Sequence, residues 1–185
     1  MTHSRLLAIG LVLATAAGTA LTAVQGGARG KEQSAVTAIP DALKAEHEKL
    51  HAELAEATKI AGATGQAATR VAAVLHEHFK SEEAFALPPL GLLSQIAEGR
   101  AAPEMREVTA LTDRLKAEMP RMLREHKAIL QALAELDRAA RTERHPDVTR
   151  FVEELTMHAQ TEEQVLYPAA IVVGEYLKVK FPAGR

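Results

Sequence analysis

Residues 78–88 read HFKSEEAFALP and residues 158–168 read HAQTEEQVLYP, so one pattern occurs twice at an offset of 80 residues. In each copy a Glu follows a His by four residues, and a Pro follows the same His by ten. Side chains four residues apart lie on one face of an α-helix, about 6 Å apart along its axis. Each copy therefore directs one imidazole and one carboxylate to the same side of a helix.

A second, shorter pattern also recurs. Residues 46–54 and residues 125–133 both begin with Glu-His and continue with apolar residues four and eight positions after that Glu. The offset here is 79 residues, and the one-residue difference can be absorbed in a loop. The chain is therefore predicted to contain two helical hairpins related by a pseudo-twofold axis. Each hairpin supplies one His from its first helix and one His-x-x-x-Glu from its second.

Apolar residues recur every three or four positions along four segments, which predicts four amphipathic helices. The helices are predicted over residues 41–61, 66–87, 104–141 and 146–178. Gly62 to Gly65 should end the first helix and Pro88 the second, while Pro120 should kink or split the third. Short connections between such helices predict an all-α fold, an antiparallel up-down four-helix bundle.

The first 37 residues are predicted to lie outside this bundle. After Arg5 the chain carries no charge as far as Val24 and is rich in Leu and Ala, which is typical of a secretory signal peptide. The run approaches the roughly 20 residues that span a bilayer, so an uncleaved membrane anchor is the alternative. We assign residues 1–23 to the signal peptide or anchor, 24–37 to a linker and 38–180 to the bundle. We expect the bundle to be periplasmic or secreted, with membrane contact only through an uncleaved N-terminus.

The composition excludes several classes of function. The net charge is −2 with His neutral, and the chain has four Phe, two Tyr and no Trp. A nucleic-acid partner is not expected, because such proteins carry a clustered basic surface or aromatic stacking platforms. The absence of Cys excludes disulfides and thiolate metal sites.

His interrupts the apolar face of all four predicted helices, and Glu also interrupts the second and fourth. These residues are His47, His78, Glu82, His126, His158 and Glu162. Burying imidazole and carboxylate groups is costly unless they are paired or bind a metal. A hydrogen-bonded polar layer without metal is one alternative, but the duplicated spacing favours two metal ions with three ligands from each hairpin. The donor set fits two non-haem iron ions, and Zn or Mn would accept the same residue types.

Neighbours of these residues are assigned other roles. Glu83 and Glu163 follow the two ligand carboxylates and lie about 100° around the helix. They are expected to orient a ligand or to make surface contacts. His76 points away from the predicted site and should be solvated. Tyr167 and Phe79 either line the site or pack the core, and packing is favoured.

These residues resemble the hemerythrin-like, or HHE cation-binding, family over residues 38–180. The resemblance rests on the two Glu-His pairs and on the two His-x-x-x-Glu-Glu blocks that lead to Leu-Pro and Leu-Tyr-Pro. It implies an antiparallel four-helix bundle holding two irons, bridged by the two carboxylates and by an oxygen species. Members of the family bind O2 reversibly, sense O2, iron or redox state, or handle NO or peroxide.

The sequence departs from the oxygen-carrying members in its third helix. Those members have two His four residues apart there, whereas the positions four either side of His126 are Met122 and Leu130. His51, one turn after His47, is a candidate extra ligand and is otherwise exposed or beside the site. A centre with four His is expected to be more prone to redox turnover than an oxygen carrier.

We expect a metal-binding protein whose di-iron centre binds or responds to O2 or a related small molecule outside the cytoplasm. The alternatives are an enzyme-like protein that turns over peroxide or NO, and an iron-buffering bundle. Binding is favoured over catalysis, and no residue is assigned a catalytic role. The sequence pattern carries no signal for an oligomeric state.

Overall fold

The computed structural model describes residues 38–183, where the chain is helical and forms no strand. Its α-helices are α1 (Asp41–Thr58), α2 (Ala63–Ser81), α3 (Leu93–Ala97), α4 (Thr109–Glu143), α5 (Pro146–Thr161) and α6 (Tyr167–Lys180). Two 3₁₀ helices, Pro88–Leu92 and Pro103–Val108, flank the short α3. The prediction of an all-α protein is confirmed for this range, and the predicted signal peptide or anchor and its linker lie outside it.

Four long helical segments pack side by side. α1 packs against α2 and α5, and α4 packs against α2 and also against α5 and α6. Glu143, at the end of α4, accepts a hydrogen bond from Ala63 at the start of α2. Earlier in α4, Glu125 contacts His78 near the end of α2. The direction of α4 is therefore opposite to that of α2, as an up-down bundle requires.

Within residues 38–183 the core contains three apolar clusters, and two of them form layers with a polar layer between them. The first apolar layer includes Leu54, Val71, Leu136 and Phe151. The second includes Phe85, Leu115, Met122 and Tyr167. The six predicted ligands fall between these layers along their helices. Each fully buried Leu or Phe contributes about 1.5–3 kcal/mol, so the two layers can offset the cost of burying the polar groups. Within residues 38–183, no helix is both long and apolar enough to cross a bilayer.

The first connection differs from its prediction. α1 ends at Thr58 and α2 begins at Ala63, so Gly65 lies inside the second helix instead of in the loop. Gly62 caps α2 with a φ of 94°, a conformation that side chains disfavour. Gly65 is required for a different reason, because a Cβ there would lie 1.8 Å from the carbonyl oxygen of Ile60.

A carboxylate from the other hairpin completes the start of α2. Glu143 accepts hydrogen bonds from the backbone N–H groups of Ala63 and Thr64, at 2.8 and 2.9 Å, and from the Thr64 hydroxyl at 2.6 Å. These N–H groups have no partner within their own helix. The bonds stabilise the charged carboxylate and lower the pKa of Glu143 to about 2.

Pro120 does not split the third long helix, so that alternative of the prediction is wrong. α4 continues through Pro120 from Thr109 to Glu143. A proline removes one backbone hydrogen bond, but the buried side chains of Leu115 and Met122 pack on both sides of it. Their packing keeps the segment helical.

Both His-x-x-x-Glu blocks end in a π-helical turn, which the sequence pattern does not predict. The turns are Glu82–Ala86 and Glu162–Leu166, and each begins at the predicted ligand Glu. The Leu87 amide donates to the Glu82 carbonyl, five residues back, at 2.9 Å. Such turns occur frequently at functional sites. Their recurrence at the offset of 80 shows that the internal repeat extends to backbone geometry.

Candidate metal centre

The six predicted ligands converge in the middle of the bundle, and each is at most 4 % exposed. His47 lies on α1 and His126 on α4, while His78 lies on α2 and His158 on α5. Glu82 and Glu162 begin the two π-helical turns. The buried polar layer is therefore built from both hairpins equally.

The six residues form two overlapping groups, each with donor atoms within 4.8 Å of one another. The groups are His47, Glu82, His158 and Glu162, and His78, Glu82, His126 and Glu162. The internal repeat interchanges them. Each group has two imidazoles and shares both carboxylates with the other, so the geometry has room for two cations that share the carboxylates.

The inward-facing nitrogen of each His is Nε2. Within a helical block, Nε2 lies 3.0 Å from a carboxylate oxygen in the pair His78–Glu82 and 3.1 Å in the pair His158–Glu162. Between helices, His126 Nε2 lies 3.4 Å from Glu162 Oε2. The four-residue spacing thus places nitrogen and oxygen donors beside each other, as the sequence predicts.

Three polar atoms of this layer lack a hydrogen-bond partner within the described part of the chain. They are His78 Nε2, Glu82 Oε2 and Glu162 Oε1. His78 Nε2 is close to Glu82 but lacks the direction of a hydrogen bond. An unpartnered buried polar group costs about 1–3 kcal/mol, and more when it is charged. Imidazole nitrogen and carboxylate oxygen atoms left free in this way are donors that suit iron, zinc or manganese.

The outward-facing nitrogen of each His, Nδ1, contacts a carboxylate that is not one of the six candidate ligands. The pairs are His47–Glu83 at 3.3 Å, His78–Glu125 at 3.0 Å, His126–Glu163 at 2.9 Å and His158–Glu46 at 3.2 Å. Each of these Glu is adjacent in sequence to one of the six candidate ligands. A carboxylate at Nδ1 favours a proton on that atom and leaves the Nε2 lone pair directed inward.

The electrostatics of the centre favour a bound cation. Burial lowers the pKa of His126 and of His158, but contacts with Glu162 outweigh this effect and raise the pKa values to about 10 and about 9. Burial likewise opposes ionisation of Glu162, but its contacts with His126, His158 and His47 hold its pKa well below the usual value. The negative potential that binds protons here would also stabilise metal ions.

Tyr167 takes part in the site, although packing was its favoured role in the sequence analysis. It is fully buried. Its hydroxyl donates to Glu82 Oε1 and lies 3.3 Å from His126 Nε2. Its ring stacks on the imidazole of His126 with centroids 5.7 Å apart. Leu87 occupies the equivalent position in the other repeat, so the hydroxyl makes the two groups chemically unequal.

His51 and His76 lie outside both groups. The His51 ring contacts Phe79 edge-on with centroids 4.9 Å apart, and burial lowers its pKa. His76 has a side chain that is 71 % exposed, which confirms the expectation that it is solvated. Phe79 also stacks on His47, with centroids 4.1 Å apart.

Sequence reasoning missed the outer partners Glu46 and Glu125. A signal for them was present, because the Glu-His pair occurs at the same place in both repeats. The expectation that Glu83 and Glu163 orient a ligand agrees with their contacts to His47 and His126. Tyr167 has no repeated counterpart, so the repeat could not reveal it.

The fold and the site define a helical-bundle protein with a buried His and Glu centre of metal-binding type. The family model described as "Hemerythrin HHE cation binding domain" matches residues 38–170. The chain therefore belongs to the hemerythrin HHE cation-binding domain family, as the sequence motifs indicated. Neither the comparison with curated proteins nor that with solved structures found a match.

Proposed function

We propose that this protein holds two iron ions in its buried centre and that a small molecule, O2, NO or peroxide, binds to them. The ligands in this proposal are His47, His78, Glu82, His126, His158 and Glu162. The observation that carries it is the pair of equivalent donor groups sharing two carboxylates. Two His and two shared Glu per ion leave coordination positions for an external molecule, because iron commonly accepts more donors than these.

The chain's own residues would prepare the centre in three ways. The outer carboxylates hold each imidazole with its Nε2 atom directed inward. The Tyr167 hydroxyl, which donates to Glu82, can hold a proton beside the site. The apolar layers on either side limit the access of water. Bound iron would supply the redox couple and the exchangeable positions.

Reversible O2 binding and turnover of peroxide or NO are the two candidate activities. Met122 is fully buried in an apolar layer, so it does not replace the additional His of the oxygen carriers. Burial and the charge of Glu82 raise the pKa of the Tyr167 hydroxyl, so it keeps its proton and can donate a hydrogen bond at the centre in either activity. Iron buffering would require neither this hydroxyl nor an exchangeable position.

We further propose that the bundle works outside the cytoplasm. Support comes from the uncharged, Leu- and Ala-rich segment that follows Arg5. Fractionation of cells that express the full chain should recover it outside the cytoplasm or at the membrane. Recovery in the cytoplasm alone would exclude this part of the proposal.

Metal analysis combined with visible spectroscopy tests the proposed function. Iron-loaded protein should contain two iron ions per chain and show a charge-transfer absorption that responds to O2, to azide or to peroxide. Reversal on removal of O2 would favour binding, while catalytic consumption of peroxide or NO would favour turnover. His78→Ala should lower the iron content, whereas the control His76→Ala changes an exposed His and should not. Equal iron content in both variants would contradict the ligand assignment.

A further inference from the structure

The centre has symmetric donors, but its two sides are covered differently. Between α1 and α5, a cavity of about 480 Å³ reaches a candidate ligand. Its lining includes Ala42, Ala45, Glu46, Met157, His158 and Thr161. His158 is 4 % exposed, whereas the other three His of the centre are 1 % exposed.

The internal repeat identifies the equivalent surface between α2 and α4. There, Arg121 and Arg124 occupy the positions of Ala42 and Ala45. Arg121 Nη1 lies 2.5 Å from Glu125 Oε1 on its own helix. Its Nη2 lies 3.4 Å from the hydroxyl of Ser81 at the end of α2. Arg121 thus bridges α2 and α4. At the equivalent place between α1 and α5, the small side chains of Ala42 and Ala45 leave a cavity.

The surface between α1 and α5 and the surface between α2 and α4 also differ in charge. Glu46 contacts His158 Nδ1 at 3.2 Å, and its side chain is 47 % exposed in the cavity. Lys49 lines the same cavity but is paired with Glu154. The equivalent carboxylate of the other repeat, Glu125, is paired with Arg121. A cavity that ends in a carboxylate raises the local concentration of cations.

We propose that metal ions reach the centre through the cavity between α1 and α5, where Glu46 and His158 are the groups that receive them. This inference rests on the proposed function, because it assumes that the centre binds metal. Uncharged O2 would gain nothing from the charge difference, so the chemistry of the cavity selects a divalent cation. The opposite surface is closed by Arg121.

Ala42→Arg tests this path, because it introduces the arginine that the other repeat carries at the equivalent position, Arg121. The new side chain would lie four residues before Glu46, as Arg121 does before Glu125, and Thr161, the counterpart of Ser81, lines the same cavity. Ala42→Gln fills the same space without adding charge. The control is Ala55→Arg, at an exposed position of α1 outside the lining of this cavity. Arg121→Ala opens the opposite surface.

The measurement is the rate of Fe(II) uptake by the metal-free full chain without oxygen, together with the final iron content. Ala42→Arg should slow uptake about tenfold, the lower end of electrostatic effects on association rates, while the final iron content stays at the wild-type value. Ala42→Gln should also slow uptake, Ala55→Arg should not, and Arg121→Ala should load at the wild-type rate or faster.

Two outcomes would overturn the path: wild-type uptake by both Ala42 variants, or equal slowing by Ala55→Arg. A wild-type chain that binds no iron at equilibrium would instead refute the proposed function, and the path with it. The iron content at equilibrium therefore tests the proposed function, and the rate of Fe(II) uptake tests the path.

Discussion

Removing the carboxylate of Glu163 should weaken metal binding without removing a ligand. Glu163 Oε1 lies 2.9 Å from His126 Nδ1, the shortest of the four outer contacts, and the Glu163 side chain is 37 % exposed. Loss of such a partner lowers metal affinity by about 10–100-fold. Glu163→Ala should approach the upper part of this range. Glu163→Gln, which keeps an acceptor oxygen, should stay near tenfold, or about 1.4 kcal/mol.

The equivalent contact in the other repeat allows the expected loss of affinity to be compared. The equivalent contact, between Glu83 and His47, is longer at 3.3 Å, and the Glu83 side chain is 46 % exposed. Glu83→Ala should therefore cost less affinity than Glu163→Ala. The assay is competition for Fe(II) with a chromogenic chelator, and Glu153→Gln, an exposed Glu elsewhere on α5, serves as the control. Iron binding by Glu163→Ala within twofold of wild type, or an equal loss of affinity in the control, would contradict this role of Glu163.

Three further outcomes are expected. Glu143→Gln should lower the stability of the fold at pH 7, because the pKa of Glu143 is lowered to about 2. The charged carboxylate stabilises the fold above its usual pKa near 4.5, and this contribution is lost as the pH falls through 2. The urea midpoints of variant and wild type should therefore converge at about pH 2. Gly174→Ala should destabilise by about 1–3 kcal/mol, since its Cβ would lie 2.0 Å from Thr112 Oγ1, and Thr112→Ala should recover part of this loss in a double-mutant cycle of urea unfolding. Removal of the metal with a chelator should lower the thermal midpoint, by an amount that corresponds to about 4 kcal/mol for each site at a free metal concentration 1,000 times Kd; an unchanged midpoint would mean that the metal does not bind the folded core.

The helices and the convergence of the six candidate ligands could be predicted because both depend on periodicity. Apolar spacing marks the faces that pack, and the four-residue interval from His78 to Glu82 puts both groups on one face. The duplicated pattern then relates the two hairpins. None of these steps requires knowledge of a distant contact.

The features that were missed depend on tertiary contacts or on backbone detail. The partner of Glu143 lies about 80 positions away in the chain, and nothing local to either residue indicates the bond. Pro120 stays inside a helix because buried neighbours on both sides hold it there. The hydroxyl of Tyr167 reaches Glu82 from another helical segment, so an aromatic residue that looked like packing contacts the centre. The π-helical turns depend on backbone hydrogen bonds to the fifth residue back, which the apolar spacing does not encode.

The central claim is that the six buried His and Glu residues hold two iron ions. Its most direct test is the metal identity and stoichiometry of the purified full chain, measured beside His158→Ala. We expect two iron ions per wild-type chain and a lower iron content in the variant. A wild-type chain that retains one zinc ion, or no metal after incubation with Fe(II), would contradict it.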